Sequence, residues 1–307
     1  MLPGGLGRPT GSSGMMWPMD FGIGFANTGP FTSTPGAVEM AQAAEQAGFE
    51  SVWTVEHAVV PKGYESTYPY SPTGKMPGND DAPVPDPLIW LTYLAAKTTT
   101  LRVATGILIL PQRNPVVLAK ELATLDDLSG GRLELGIGVG WLAEEFAAIG
   151  VPFEGRGHRT DEYVAALRSL WTEDVASFSG EFTSFADCIS QPSPVRGSVP
   201  IHVGGHTDAS AKRAGRLGDG YFPGAYDHAE IARLVDIARN TAADCGRDPE
   251  ALVITSGGRG AIGPGALDEV QALAALGVDR VIVPAFVFYE DPAGSLAAYG
   301  ADVIAKA

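Results

Sequence analysis

From Asp20 onward the chain alternates short β-rich runs with longer helical runs, and eight strand-then-helix units can be read in succession. The expected strands are Phe21–Ala26, Ser51–Val55, Leu101–Leu110, Leu133–Gly138, Ile201–Gly204, Asp219–Phe222, Leu252–Thr255 and Arg280–Pro284. Local punctuation opens and closes the helices between them. Thr34 reads as the cap of a helix over Pro35–Gly48, with Gly48 as its stop, and Asp86-Pro87, Asn114-Pro115 and Asp291-Pro292 read as later starts. Strands separated by helices pair in parallel, and right-handed crossovers allow an open doubly wound sheet or a closed barrel. Eight units with no spare strand favour the (β/α)8 TIM barrel.

The chain has 307 residues, a length such barrels reach as one unit, and 45% of them are hydrophobic, enough for a large core. Residues 19–307 are therefore expected to form one domain. Residues 1–18 are rich in Gly, Pro and Ser, with one Arg and no continuous apolar run, so they read as a disordered extension and not as a signal peptide.

Two segments break the rhythm. Residues 58–84, after the second strand, hold five prolines and Tyr64, Tyr68 and Tyr70. A loop that long in a compact domain is usually a lid or a binding loop, and it leaves the strand at the end where barrel active sites form. Residues 174–200, after the fourth unit, read as a small hairpin at 177–185 plus a proline-rich turn, expected over the same mouth.

The net charge is −15. Bulk electrostatics then disfavour nucleic acid and anionic membranes as partners, and an anionic ligand needs a local pocket. The two cysteines, Cys188 and Cys245, are far apart and form no CxxC, which points to a reducing, cytoplasmic setting. The histidines lack metal-ligand spacing, so no metal is expected, and no G-x-S-x-G elbow is present. No stretch of about 18 apolar residues suggests a membrane span.

The residues able to carry chemistry lie just after strands. Glu56-His57 follows the second. Histidine changes charge near neutral pH and suits proton transfer, while the adjacent acid either hydrogen-bonds a cofactor ring or fixes the imidazole. The plain alternative is a rim histidine bonded to backbone. Gly138-Val139-Gly140 follows the fourth strand within G-x-G-x-x-A, with Asp161 about 20 residues on, the spacing of a dinucleotide fingerprint. No strand separates Gly140 from Asp161, so that fingerprint lacks its context. Either these glycines admit a flat ring or they relieve crowding at the strand exit. Gly204-Gly205-His206-Thr207 opens a helix carrying Arg213, and backbone amides, helix dipole, hydroxyl and arginine together suit an anion. A tight turn with a threonine cap is compatible with the same residues. Gly257-Gly258-Arg259 is a second such loop after the seventh strand. Gly106-Ile107 lies within the third strand, where a glycine marks a bulge or a close ligand approach. Glu144-Glu145 and Asp126-Asp127 read as solvated faces.

The runs TVEH at 54–57, YPYSPTGKMPG at 68–78, TGILILPQRNP at 105–115, ATLDDLSGGRLELGIGVGW at 123–141 and IHVGGHTDASAKRAGRLGDGY at 201–221 resemble the bacterial luciferase-like monooxygenase superfamily, above all its coenzyme F-420-dependent branch. That resemblance implies a single barrel with insertions after strands 2 and 4, and an enzyme moving a hydride between the deazaflavin coenzyme F-420 and a small organic substrate. It implies that Glu56 and His57 contact the cofactor ring, with His57 handling the proton, and that Gly106-Ile107 is a non-proline cis peptide beneath the ring. Gly204, Gly205 and Thr207 would match the phosphate loop. Some sugar-phosphate dehydrogenases of the branch carry an acid where Trp141 stands, which argues against that substrate. An FMN-dependent monooxygenase and a non-catalytic cofactor-binding protein are the alternatives. Family members are commonly homodimers.

Overall fold

The computed structural model describes residues 19–258 and 260–307. The expected extension at 1–18, and Arg259, lie outside the described residues.

The barrel is closed and parallel. Its strands are β1 (Asp20–Gly24), β2 (Ser51–Thr54), β3 (Arg102–Thr105), β4 (Leu108–Ile109), β5 (Leu133–Gly138), β8 (Ile201–Gly204), β9 (Gly220–Phe222), β10 (Val253–Ser256) and β11 (Arg280–Pro284). Each pairs with the next around the ring, and β11 returns to β1 through Asp20↔Arg280 to Gly24↔Pro284. β3 and β4 share one stave: both pair with β5, and Gly106-Ile107 lies between them as a break in what the sequence suggests is one continuous strand. β6 (Ala176–Ser179) and β7 (Ser184–Cys188) form a separate antiparallel hairpin.

The outer layer consists of α1 (Gly36–Ala47), α2 (Pro87–Ala95), α3 (Pro115–Ser129), α4 (Ala143–Ala148), α5 (Arg156–Thr172), α6 (Asp208–Leu217), α7 (His228–Asp244), α8 (Ala266–Ala275) and α9 (Pro292–Asp302). The side chains of Asp86, Asn114, Thr207, Asp227 and Asp291 cap five of them by accepting first-turn amides. Gly48 and Gly130 close α1 and α3 in the left-handed conformation. One expected cap is corrected. α1 starts at Gly36 with Pro35 at its cap position, and the Ser33 carbonyl accepts the Ala37 amide in place of the Thr34 hydroxyl.

The hairpin insertion is corrected too. It does not cover the mouth: Glu162 of α5 accepts the amides of Glu181, Phe182 and Thr183 at its turn, and Arg159 of α5 lies over the Phe182 ring. The segment after it is tied to α3, where buried Asp126 accepts the Val195 amide. Asp126 is therefore an internal anchor and not part of a solvated face.

Inside the barrel the chain is layered. The floor, at the strand N-termini, is a network of charges. Glu134 pairs with Arg102, His202 and Arg280, and Glu50 pairs with Arg102 and Arg280, at 2.8–3.0 Å. Burial pushes Glu134 up, but Arg280, His202 and Arg102 outweigh it and hold the carboxyl well below its usual range. Above the floor lies Trp53, with the Arg280 guanidinium 5.1 Å from its ring. So large a side chain fits because its neighbours are glycines. A β-carbon on Gly22 would stand 2.8 Å from Trp53 Nε1, and one on Gly136 would stand 1.9 Å from the Thr105 carbonyl oxygen.

Candidate active site

The barrel strands are parallel, so the ends of β2, β4, β5 and β8 open on one face. That brings Glu56-His57, Ile107, Gly138–Gly140 and Gly204–Thr207 to the same mouth.

Successive residues leaving a strand point to opposite sides, and Glu56 and His57 do so. Glu56 is buried. Its carboxylate accepts the Ile109 amide at 2.5 Å and both Nε and Nη2 of Arg113, whose Nη2 also reaches Asp86 at 3.0 Å. Burial pushes the Glu56 carboxyl up even against the Arg113 charge. This acid therefore ties β2 to the segment after the bulge and does not fix the imidazole. His57 is held by another acid: its Nδ1 lies 3.1 Å from Oε2 of Glu145, which is fully buried on α4. Oε1 of Glu145 accepts the amides of Ala58 at 2.6 Å and Val59 at 3.3 Å. The sequence reads Glu145 as part of a solvated face; the fold turns it inward, because α4 crosses beneath the start of the 58–84 segment. Glu144 serves the same segment, accepting the amides of Glu65 and Ser66 and the Ser66 hydroxyl.

That segment covers the mouth, as its length and composition suggest. A chain of aromatic edge contacts runs from His57 to Trp141 (5.9 Å between centroids), to Tyr68 (5.1 Å), to Tyr70 (5.5 Å) and to His206 (5.0 Å). Tyr64 packs on Trp141 from the side at 5.4 Å, and Lys75 donates to the Tyr64 carbonyl. Burial, then the nearby phenols, push Tyr68 up to about 12, so this phenol stays neutral.

The floor of the mouth is Ile107. The Gly106-Ile107 peptide is cis. A β-carbon on Gly138 would stand 2.6 Å from Ile107 Cδ1, and one on Gly204 2.7 Å from Ile107 Cγ2. The two glycines thus make room for the isoleucine, which becomes a partly exposed apolar platform. Val139 and Gly140 are half-buried behind it, and the Gly140 carbonyl accepts Arg156 Nε at 3.1 Å.

On the far side, Gly205 has φ of 139°, a conformation that favours glycine, and its amide donates to the Phe222 carbonyl. Thr207 caps α6 in a capping box with Ser210, so its hydroxyl is already engaged. Arg213 does not face the loop. It pairs with Asp161 and donates to the Gly157 carbonyl, which also explains Asp161 without any dinucleotide fingerprint. What the loop offers an anion is the first-turn amides of α6, which have no intrahelical acceptor. The Asp208 carboxylate in that turn is paired with Arg233 at 2.8 Å. His206 Nδ1 is buried and lacks a hydrogen-bond partner among the described residues. An apolar platform, an unsatisfied ring nitrogen and a helix start fit a flat ring system with an anionic tail. Among the described residues no cluster of His, Cys, Asp and Glu could hold a metal ion, and no helix is long and apolar enough to cross a membrane.

A family model described as luciferase-like monooxygenase matches residues 19–299. An uncharacterized protein of Mycobacterium tuberculosis is 35% identical over 248 residues, covering 80% of this chain and 83% of that one. An F-420-dependent glucose-6-phosphate dehydrogenase of Kineococcus radiotolerans is 35% identical over 188 residues, 60% of this chain and 50% of that one. An FMNH(2)-dependent dimethylsulfone monooxygenase of Pseudomonas putida is 38% identical over 154 residues, 49% of this chain and 42% of that one. In fold, the chain is similar to the coenzyme F-420-dependent tetrahydromethanopterin reductase of Methanopyrus kandleri, with a TM-score of 0.74 at 18% identity over 94% of this chain and 99% of that one.

Proposed function

The chain belongs to the luciferase-like monooxygenase family, and on that premise we propose that it transfers a hydride between coenzyme F-420 and a small organic substrate, with His57 handling the proton. The observation that carries this reading is the imidazole of His57, anchored on a buried acid at the barrel mouth on which Ile107 also opens.

When bound, the deazaflavin supplies two-electron hydride chemistry. The chain's own residues do the rest. Ile107, with Gly138, Val139 and Gly140 behind it, supports the ring from below. Gly204, Gly205, His206 and the first-turn amides of Asp208 and Ala209, at the helix start that Thr207 caps, hold the phosphate end. Trp141, Tyr68 and Tyr70 exclude water above. His57 gives or takes the proton that accompanies the hydride, and Glu56 positions the bulge through Ile109 and Arg113. Trp141 stands where some sugar-phosphate dehydrogenases of the branch carry an acid, so a substrate other than a sugar phosphate suits this site better.

A second reading, FMN-dependent oxygenation, is favoured by the FMNH(2)-dependent relative. Titration of the purified chain with both cofactors separates the two. Binding of F-420 and not FMN is the expected result, and oxygen uptake with reduced FMN is the outcome that replaces it. His57→Ala is expected to keep cofactor binding while turnover falls about 10²–10⁴-fold. Binding with no turnover on any substrate would leave a carrier protein. A homodimer and a cytoplasmic location belong to the same proposal.

A further inference from the structure

We propose that Glu145 is a positioning residue that sets which nitrogen of His57 carries the proton. The proposal rests on the reading of His57 as the proton-handling group.

Three donors converge on one buried carboxylate. Oε1 is held by the Ala58 and Val59 amides at 2.6 and 3.3 Å, and Oε2 faces His57 Nδ1 at 3.1 Å. Backbone amides only donate and a carboxylate only accepts, so the amides fix the carboxylate and the carboxylate requires a proton on Nδ1. Nε2 has no hydrogen-bond partner among the described residues, which leaves it to exchange a proton with substrate. The Glu145 side chain has no exposed surface and His57 only 10%, so water cannot readily substitute for either partner.

The same acid holds the first residues of the cover. The imidazole's tautomer and the root of the 58–84 segment thus share one anchor. Glu56, although adjacent to His57 in sequence, cannot take this role because its oxygens are occupied by Ile109 and Arg113.

Glu145→Gln tests this with nearly unchanged shape. The amides of Ala58 and Val59 can only bond the carboxamide oxygen, so the amide nitrogen faces Nδ1, which must then accept. The ring proton moves to Nε2. ¹⁵N-histidine labelling of the full chain reads the tautomer directly, with His57→Gln assigning the resonance. The expected result is Nδ1–H in the wild type and Nε2–H in Glu145→Gln. Cofactor affinity should stay within about threefold, while the hydride step slows by about 10²–10⁴-fold. A wild type with Nε2–H, or the same tautomer in both proteins, overturns the proposal, even if activity falls. If Glu145→Gln does not fold, the wild-type spectrum alone decides. The tautomer needs no cofactor, so a chain that binds neither F-420 nor FMN would refute the proposed function without touching this result.

Discussion

Ile107 and Gly204 interlock across the barrel mouth: the isoleucine Cγ2 fills the space that a β-carbon on residue 204 would need, at 2.7 Å. Gly204→Ala should push Ile107 upward into the region proposed for the cofactor ring. Overpacking of this kind costs about 1–3 kcal/mol. Calorimetric titration is expected to show cofactor binding weakened about tenfold or more. Unchanged affinity would mean that Ile107 is not the platform.

Gly136→Ala meets backbone instead of a side chain. The Thr105 carbonyl lies 1.9 Å from the new carbon, and it cannot move without disturbing the pairing of β3 with β5. The expected loss is about 3 kcal/mol or more, at the upper end of overpacking costs, read as a lower urea midpoint. The effect should be on stability and not on affinity in the fraction that folds, which separates it from Gly204→Ala.

Arg113→Ala strands the buried Glu56 carboxylate with only the Ile109 amide. Breaking one side of a buried pair typically costs about 3–5 kcal/mol. Arg113→Lys restores charge but not the two-nitrogen contact, and should recover only part. Chemical denaturation of the three proteins checks the order. A neutral Arg113→Ala would show that the pair contributes little.

Glu45 supplies a pH dependence. Burial raises its pKa, but bonds from the amides of Thr99, Thr100 and Leu101 and from the Thr100 hydroxyl outweigh that and bring it down to about 2. Its folded value is below its unfolded value, so its contribution is complete above about pH 4.5 and is lost as pH falls toward 2. After allowance for solvent screening this amounts to roughly 2 kcal/mol. Glu45→Gln should therefore be less stable than the wild type at pH 7, and the gap should shrink between pH 4.5 and 2. A gap independent of pH would remove the carboxylate from the account.

Much of the barrel is legible in the sequence because its punctuation is local. Asp86, Asn114 and Asp291 each precede a proline and each caps a helix, since capping needs only residues two or three positions away. The cis bulge at Gly106-Ile107 and the rim position of His57 follow from the family resemblance and the strand ends. Glu145 was not legible. Whether an acid at the start of a helix is solvated depends on what α4 packs against, and its partner lies 88 residues away. Arg213 failed for the same reason in reverse: its helix is read correctly, but the facing Asp161 is 52 residues upstream. Gly138 reads equally as admitting a flat ring or as relieving crowding at the strand exit, and Gly204 as part of an anion loop or a tight turn; what both glycines make way for directly is the Ile107 side chain.

The charged plug of Glu50, Arg102, Glu134, His202 and Arg280 closes one end of this vessel and leaves the mouth at the strand C-termini as the way in. Reactants that share one doorway must queue. On the proposed function, whichever molecule lies deeper against Ile107 has to arrive first and depart last, an order of loading set by the shape of the barrel before any affinity is considered.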